Sequence, residues 1–292
     1  MRSITLLTGR NLRLFFRDRA GVFFSLLSAL ILIGLYALFL GNLQVQNLTE
    51  RLPGASDSDI HWFVNAWVFA GITMITTLTT ALAALAVFVD DRASGRFSDF
   101  IVSPIRRWQL ILGYLAASFI VSVVMSIVIL IVGQLYLVTQ GDPLLSVGEL
   151  AQVLGYIALS SAAFAALASF AVTFLTSAGA FAALSTVVGT LIGFLAGAYI
   201  PAGTLPAGVV NVMNALPFAQ SAMLIRQPYT AGALDAVAGG QPQAVSAMSE
   251  FYGITASVGG TEITVGIAVT VLVGVLVVFA ALGTWRLSRT IR

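Results

Sequence analysis

Six stretches of this chain, 21–40, 62–89, 110–137, 150–176, 181–200 and 263–282, contain no Asp, Glu, Lys or Arg and are apolar almost throughout. Each is as long as, or longer than, the roughly 20 apolar residues an α-helix needs to cross a hydrocarbon core. A barrel would instead need strands of about 10 residues alternating apolar and polar, and no stretch alternates that way. The sequence therefore predicts an all-α, polytopic integral membrane protein with six transmembrane helices. Charged residues make up 9% of the chain and mean hydropathy is +0.99. That composition excludes a soluble enzyme, a disordered chain and a nucleic-acid-binding domain. Stretches 62–89, 110–137 and 150–176 exceed the minimum, which predicts tilt or extension beyond the bilayer.

Orientation follows from the arginines. Arg2, Arg10, Arg13, Arg17 and Arg19 precede the first stretch, Arg92, Arg96, Arg106 and Arg107 separate the second and third, and Arg286, Arg289 and Arg292 follow the sixth. Only Arg51 and Arg226 fall opposite, together with most of the acidic residues. Both termini are thus expected in the cytoplasm. The first stretch is too long for a cleaved leader and its exit lacks a small-x-small site, so it is expected to be a retained span. All 14 basic residues are Arg, so no G-x-x-x-x-G-K-[ST] phosphate loop exists on this chain. Without cysteine there is no disulfide, thiol nucleophile or iron–sulfur ligation. His61 is the lone histidine and is expected at an interface. No catalytic, cofactor-binding or metal site is predicted.

Outside the spans, residues 1–19 are expected to form an amphipathic surface helix, with Ile4, Leu7, Leu14 and Phe15 on a face apart from the arginines. It serves either as an anchor on anionic lipid or as a contact for a cytoplasmic partner. Residues 90–109 form a cytoplasmic loop in which Phe97, Phe100, Ile101 and Pro104 recur at helical spacing. Ser103 and Pro104 suit the start of the third span. On the outer side, Pro201, Gly203, Pro206, Gly208 and Pro217 interrupt an apolar segment. Backbone broken in this way is tolerated at membrane depth only when buried in protein or lining a cavity. A re-entrant or interfacial helix pair is expected over 201–226, within an external segment 201–262, followed by an exposed loop over 227–261.

No span carries an ionisable residue, whereas ion-coupled transporters place them there. Energy for any uphill transport would have to enter from outside the spans. Thr73, Thr76, Thr77 and Thr80 share one face of the second span. Their hydroxyls either bond to helix carbonyls or give a polar lining for an amphipathic solute. Gly189, Gly193 and Gly197 at four-residue spacing permit close helix approach, within the chain or across a dimer axis.

Taken together, the run Asp91-Arg92-Ala93-Ser94-Gly95-Arg96-Phe97 through Val102-Ser103-Pro104-Ile105-Arg106-Arg107-Trp108 resembles the cytoplasmic coupling loop of type-2 ABC exporter permeases. Gly197-Ala198-Tyr199-Ile200-Pro201, Leu205-Pro206 and Asn214-Ala215-Leu216-Pro217-Phe218 resemble that family's outer G-x-x-x-P…LP…NP segment. The resemblance implies a half-transporter that pairs with a second copy of itself as a homodimer and docks a separate ABC ATPase subunit, which holds ATP and Mg. It implies ATPase coupling through Arg92, Ser94, Gly95, Arg96, Phe97, Phe100, Ser103 and Pro104, with Ser177 and Gly179 as a second contact. It implies a substrate path past Thr73, Thr76, Thr77, Thr80, Gly193, Gly197, Tyr199 and Pro201. The expected cargo is an amphipathic drug, lipid or peptide. The Arg-only, Ala- and Gly-rich usage points to a bacterial inner membrane. A lipid or envelope-precursor flippase of the same fold, or a passive channel or sensor without an ATPase, are the competing readings.

Overall fold

The computed structural model describes residues 2–97 and 106–290, so Phe100, Ser103 and Pro104 lie outside the described residues. A helix α1 (Arg2–Arg17) leads into a first span built from α2 (Arg19–Ser25), α3 (Leu27–Leu35), a π-helical turn (Tyr36–Leu40) and α4 (Gly41–Arg51). The second span is α5 (Asp57–Ala84) with α6 (Ala86–Ala93). Next come α7 (Arg107–Gln140), α8 (Val147–Val172) and α9 (Ala178–Leu195). A 3-10 turn (Ala202–Thr204), α10 (Ala207–Ala215), α11 (Pro217–Val237) and α12 (Pro242–Phe251) form the outer segment. A ribbon of β1 (Ser257–Val258) and β2 (Thr261–Glu262) precedes the last helix, α13 (Val265–Thr290).

Local chemistry fixes these boundaries. The Ser56 hydroxyl accepts from the Asp59 amide at 3.1 Å, with Asp57 and Asp59 in the positive first turn of α5. Ser146 and Glu149 form a reciprocal capping box on α8, and Gly141, at φ 88°, ends α7 in the left-handed conformation that glycine alone adopts without strain. Six helical runs are long and apolar enough to span a membrane: Leu27–Arg51, Asp57–Ala93, Trp108–Gln140, Val147–Val172, Ala178–Leu195 and Val265–Arg286. They correspond one to one with the six stretches in the sequence.

Two segments fold differently from the sequence reading. The first helix does not stop at residue 40 but continues to Arg51, because Gln44, Val45 and Leu48 form a buried stripe packed against α5. Residues 227–261 are not an exposed loop. α11 runs unbroken to Val237 and buries Tyr229, Thr230, Ala233 and Leu234, and Met248, Tyr252, Ile254 and Ala256 beyond it join the same core. Small residues hide this segment in the sequence while allowing close packing, as where Gly232 lies against the Trp62 ring. A bent helix pair begins within 201–226 but extends past it: α10 (Ala207–Ala215) and α11 (Pro217–Val237) meet at 86° across Leu216.

α5 is the axis of the bundle, packed chiefly on α7, α11 and α8. Lipid tails are as apolar as leucine, so packing and hydrogen bonds rather than hydrophobic burial hold such helices together. Serines supply the bonds. Ser118 and Ser122 of α7 donate to the Ala81 and Thr77 carbonyls at 2.7 and 2.6 Å. Ser122 meets Ser161 at 2.8 Å, and Ser221 meets Ser160 at 2.7 Å. Each such bond contributes about 0.6 kcal/mol. α3, α9 and the middle of α13 leave most of their surface uncovered.

Candidate functional site

The arginine-rich end of the bundle closes on one carboxylate. Asp91, near the end of α6, is fully buried. Its Oδ2 and Oδ1 accept from Arg10 of α1 at 2.6 and 2.8 Å, a bidentate pair, and Oδ2 also accepts the Tyr114 hydroxyl of α7 at 2.6 Å. Arg96 reaches Oδ1 at 3.3 Å from the loop side. Burial is tolerable here because the anion is paired and its lone pairs are filled. The Arg10 guanidinium is held above its ordinary pKa, first by its hydrogen bond to Asp91.

α1 is therefore more than a lipid anchor. Leu7, Thr8, Asn11 and Phe15 turn inward, the Thr8 hydroxyl meets the Gly113 carbonyl at 3.4 Å, and Leu7 fills the space a side chain at Gly113 would need. Arg13, Leu6 and Phe16 face outward.

One residue on, Arg92 donates from Nη1 to the Thr173 and Leu175 carbonyls at 2.8 and 3.1 Å. It thereby ties the 90–97 loop to the turn after α8, where Ser177 caps α9 through the Ala180 amide at 3.2 Å and Gly179 stands in open space. The two elements expected to meet a cytoplasmic partner are thus joined to each other. Ser94 donates to the Asp90 carbonyl at 2.7 Å, and Gly95, at φ 76°, turns the chain. Arg96 is exposed. Phe97 is half-buried, edge-to-face with Phe88 and stacked on Tyr114 at ring separations of 5.3 and 6.4 Å.

From this knot a groove runs along the open side of the bundle. A cavity of about 240 Å³ begins at Asp91 and Arg96 and shares Gly21, Ala83 and Ala86 with a second of about 250 Å³. The second shares Phe24, Ser28, Ser185 and Gly189 with a third of about 500 Å³ that ends at Tyr199. The walls are α2–α3, the inner end of α5, and α9. Phe24, Ile31 and Val188 alternate there with the hydroxyls of Ser25, Ser28, Thr79, Ser185 and Thr190.

Among the residues expected on a substrate path, only Tyr199 lines this groove. Thr73, Thr76, Thr77 and Thr80 are wholly buried, each donating within its own helix at 2.6–2.8 Å, to Phe69, Ile72, Met74 and Thr76. Thr79, off that face, is the threonine of α5 that lines the groove. Gly193 leaves room for the Tyr199 ring, whose hydroxyl meets the Gly189 carbonyl at 3.4 Å, so the glycine row serves contact within the chain. Gly197, at φ 59°, reverses the chain after α9, and Pro201 is buried just beyond it. Arg226, placed on the outer side by the sequence, is buried in the bundle against Trp67 and Gly71. Sequence reasoning passed over Asp91, Arg10 and Tyr114. Asp91 was legible as an acid at the end of a span amid arginines, but its partners come from helices far apart in the chain.

A family model described as ABC-2 type transporter matches residues 2–228 of the chain. No curated protein matches it.

Proposed function

The chain belongs to the ABC-2 type transporter family and is a multi-pass membrane permease, and from that premise we propose that it exports an amphipathic substrate using a separate ATPase subunit. The groove carries this reading. It starts at the knot where the coupling loop is held, and it reaches Tyr199 beneath the outer segment. A lining of aromatic and aliphatic side chains dotted with hydroxyls suits a molecule with an apolar body and a few polar groups better than an ion or a free sugar.

The cytoplasmic geometry suits a transmitter. A push on the 90–97 loop reaches α1 and α7 through Asp91 and the α8–α9 turn through Arg92. The open flank formed by α3 and α9 is the side on which a second copy would close the groove into an enclosed path. A bacterial inner membrane is the setting we infer. Nothing on this chain binds nucleotide in this reading, so ATP and Mg belong to the partner. The test is reconstitution with the ATPase subunit in proteoliposomes. Arg96→Glu, on an exposed loop residue, is expected to leave the spans folded and to abolish substrate-stimulated ATP hydrolysis. Phe97→Asp is less informative, because Phe97 packs on Phe88 and Tyr114. If stimulation survives Arg96→Glu and Arg92→Ala together, this loop does not couple the two subunits.

A further inference from the structure

Arg226 is 2% exposed. The nearby Gly71 lies fourteen residues into α5, about 21 Å along that helix at 1.5 Å per residue. A cation at such depth is costly unless paired, yet no carboxylate pairs with it among the described residues. Its Nη2 donates to the Gly197 carbonyl at 2.7 Å and its Nη1 to the Gly253 carbonyl at 3.4 Å, while the guanidinium carbon stands 5.2 Å from the centre of the Trp67 ring. Its Nε is buried without an acceptor.

Both carbonyls sit just past helix ends, Gly197 after α9 and Gly253 after α12, where the helix dipole is negative. Both glycines have positive φ, 59° and 64°. The same two chain reversals are held by other neutral donors. The Tyr36 hydroxyl donates to the Ala198 and Tyr199 carbonyls at 3.3 and 3.2 Å, and Trp67 Nε1 to the Tyr252 carbonyl at 2.8 Å. Those donors each serve one reversal, whereas Arg226 bridges the two.

We propose that Arg226 is the clasp of the outer gate: its guanidinium holds the end of α9 to the end of α12, and the exit above Tyr199 opens when those two carbonyls are released. A carboxylate partner would make this contact hard to break, because separation would strand a buried anion. Release from carbonyl acceptors strands no anion, and the guanidinium stays beside the Trp67 ring, 5.2 Å from its centre. The clasp is a positioning residue, and its link to export rests on the permease reading above.

The chain has no cysteine, so single engineered thiols report cleanly in the full-length protein in lipid nanodiscs. Ala202→Cys, at a buried site whose Cβ lies 3.8 Å from a side chain built at Gly253, reports on the clasp. Ser126→Cys, fully buried on α7 with no partner for its hydroxyl, reports on the core. Arg226→Gln is expected to speed maleimide labelling at position 202 by about 10- to 100-fold, as loss of charge-assisted bonds implies, and to leave position 126 slow. Arg226→Lys, a point charge without the planar fork, falls between. Unchanged labelling at 202, or an equal rise at both positions, overturns the clasp. Should Arg226→Gln fail to fold, Gly197→Ala disturbs the accepting carbonyl through its left-handed backbone and is read by the same two thiols. Labelling needs no ATPase, so a selective rise at position 202 supports the clasp whatever the reconstitution with an ATPase subunit shows, and failure of that reconstitution would reject the exporter reading while retaining the clasp.

Discussion

Neutralising Asp91 tests whether the cytoplasmic knot is a mechanical junction or only a surface ion pair. Asp91→Asn keeps the shape and removes the charge that Arg10, Arg96 and Tyr114 converge on. Breaking a fully buried pair costs about 3–5 kcal/mol. Here the Asp91 side chain is 1% exposed but Arg10 is 31% and Arg96 58% exposed, so water recovers part of the loss. Two charge-assisted bonds between Arg10 and Asp91 then set the expectation at about 2–3 kcal/mol. Arg10→Met alone should cost about 2 kcal/mol by the same reasoning. Because the two substitutions remove one shared interaction, the double variant should cost little more than either single one, with a coupling energy of about 1.5–2.5 kcal/mol. Equilibrium unfolding by SDS in mixed micelles provides the four free energies. Additivity within about 0.5 kcal/mol would refute the argument, because independent sites behave that way.

Three further outcomes follow from the packing. Gly193→Leu should destabilise the outer end of α9 by about 1–3 kcal/mol through overlap with the Tyr199 ring, and Tyr199→Ala in the same chain should recover part of it, as read by the same unfolding assay. Thr76→Val and Thr80→Val should leave transport rates unchanged, since those hydroxyls bond inside their own helix. Ser28→Val and Ser185→Val, which alter the groove wall, should shift the apparent affinity for transported substrate measured in proteoliposomes.

The spans were legible because a bilayer imposes length and apolarity on each helix separately, and no tertiary knowledge is needed to count them. The break at Pro201–Pro217 was legible for a local reason too, since proline and glycine disrupt a helix wherever they stand. Placing the four threonines needed more than periodicity. A shared helical face says which residues lie together, but not whether that face meets α7 or a groove. Their burial follows from the serines of α7 that donate to α5. Arg226 was misplaced because charge counting assigns sides by loop and cannot see that α11 carries its arginine into the bundle. Asp91 has partners drawn from positions 10, 96 and 114, and nothing local in the sequence announces that convergence.

The central claim, that this permease is driven by a separate ATPase through its cytoplasmic loop, is tested most directly by native mass spectrometry of the complex extracted gently from its own membrane. The account predicts a particle with two copies of this chain and two of an ATP-binding subunit, and predicts that Arg92→Ala with Arg96→Glu weakens that association. Recovery of this chain as a lone oligomer, with no nucleotide-binding partner under any extraction condition, would contradict it.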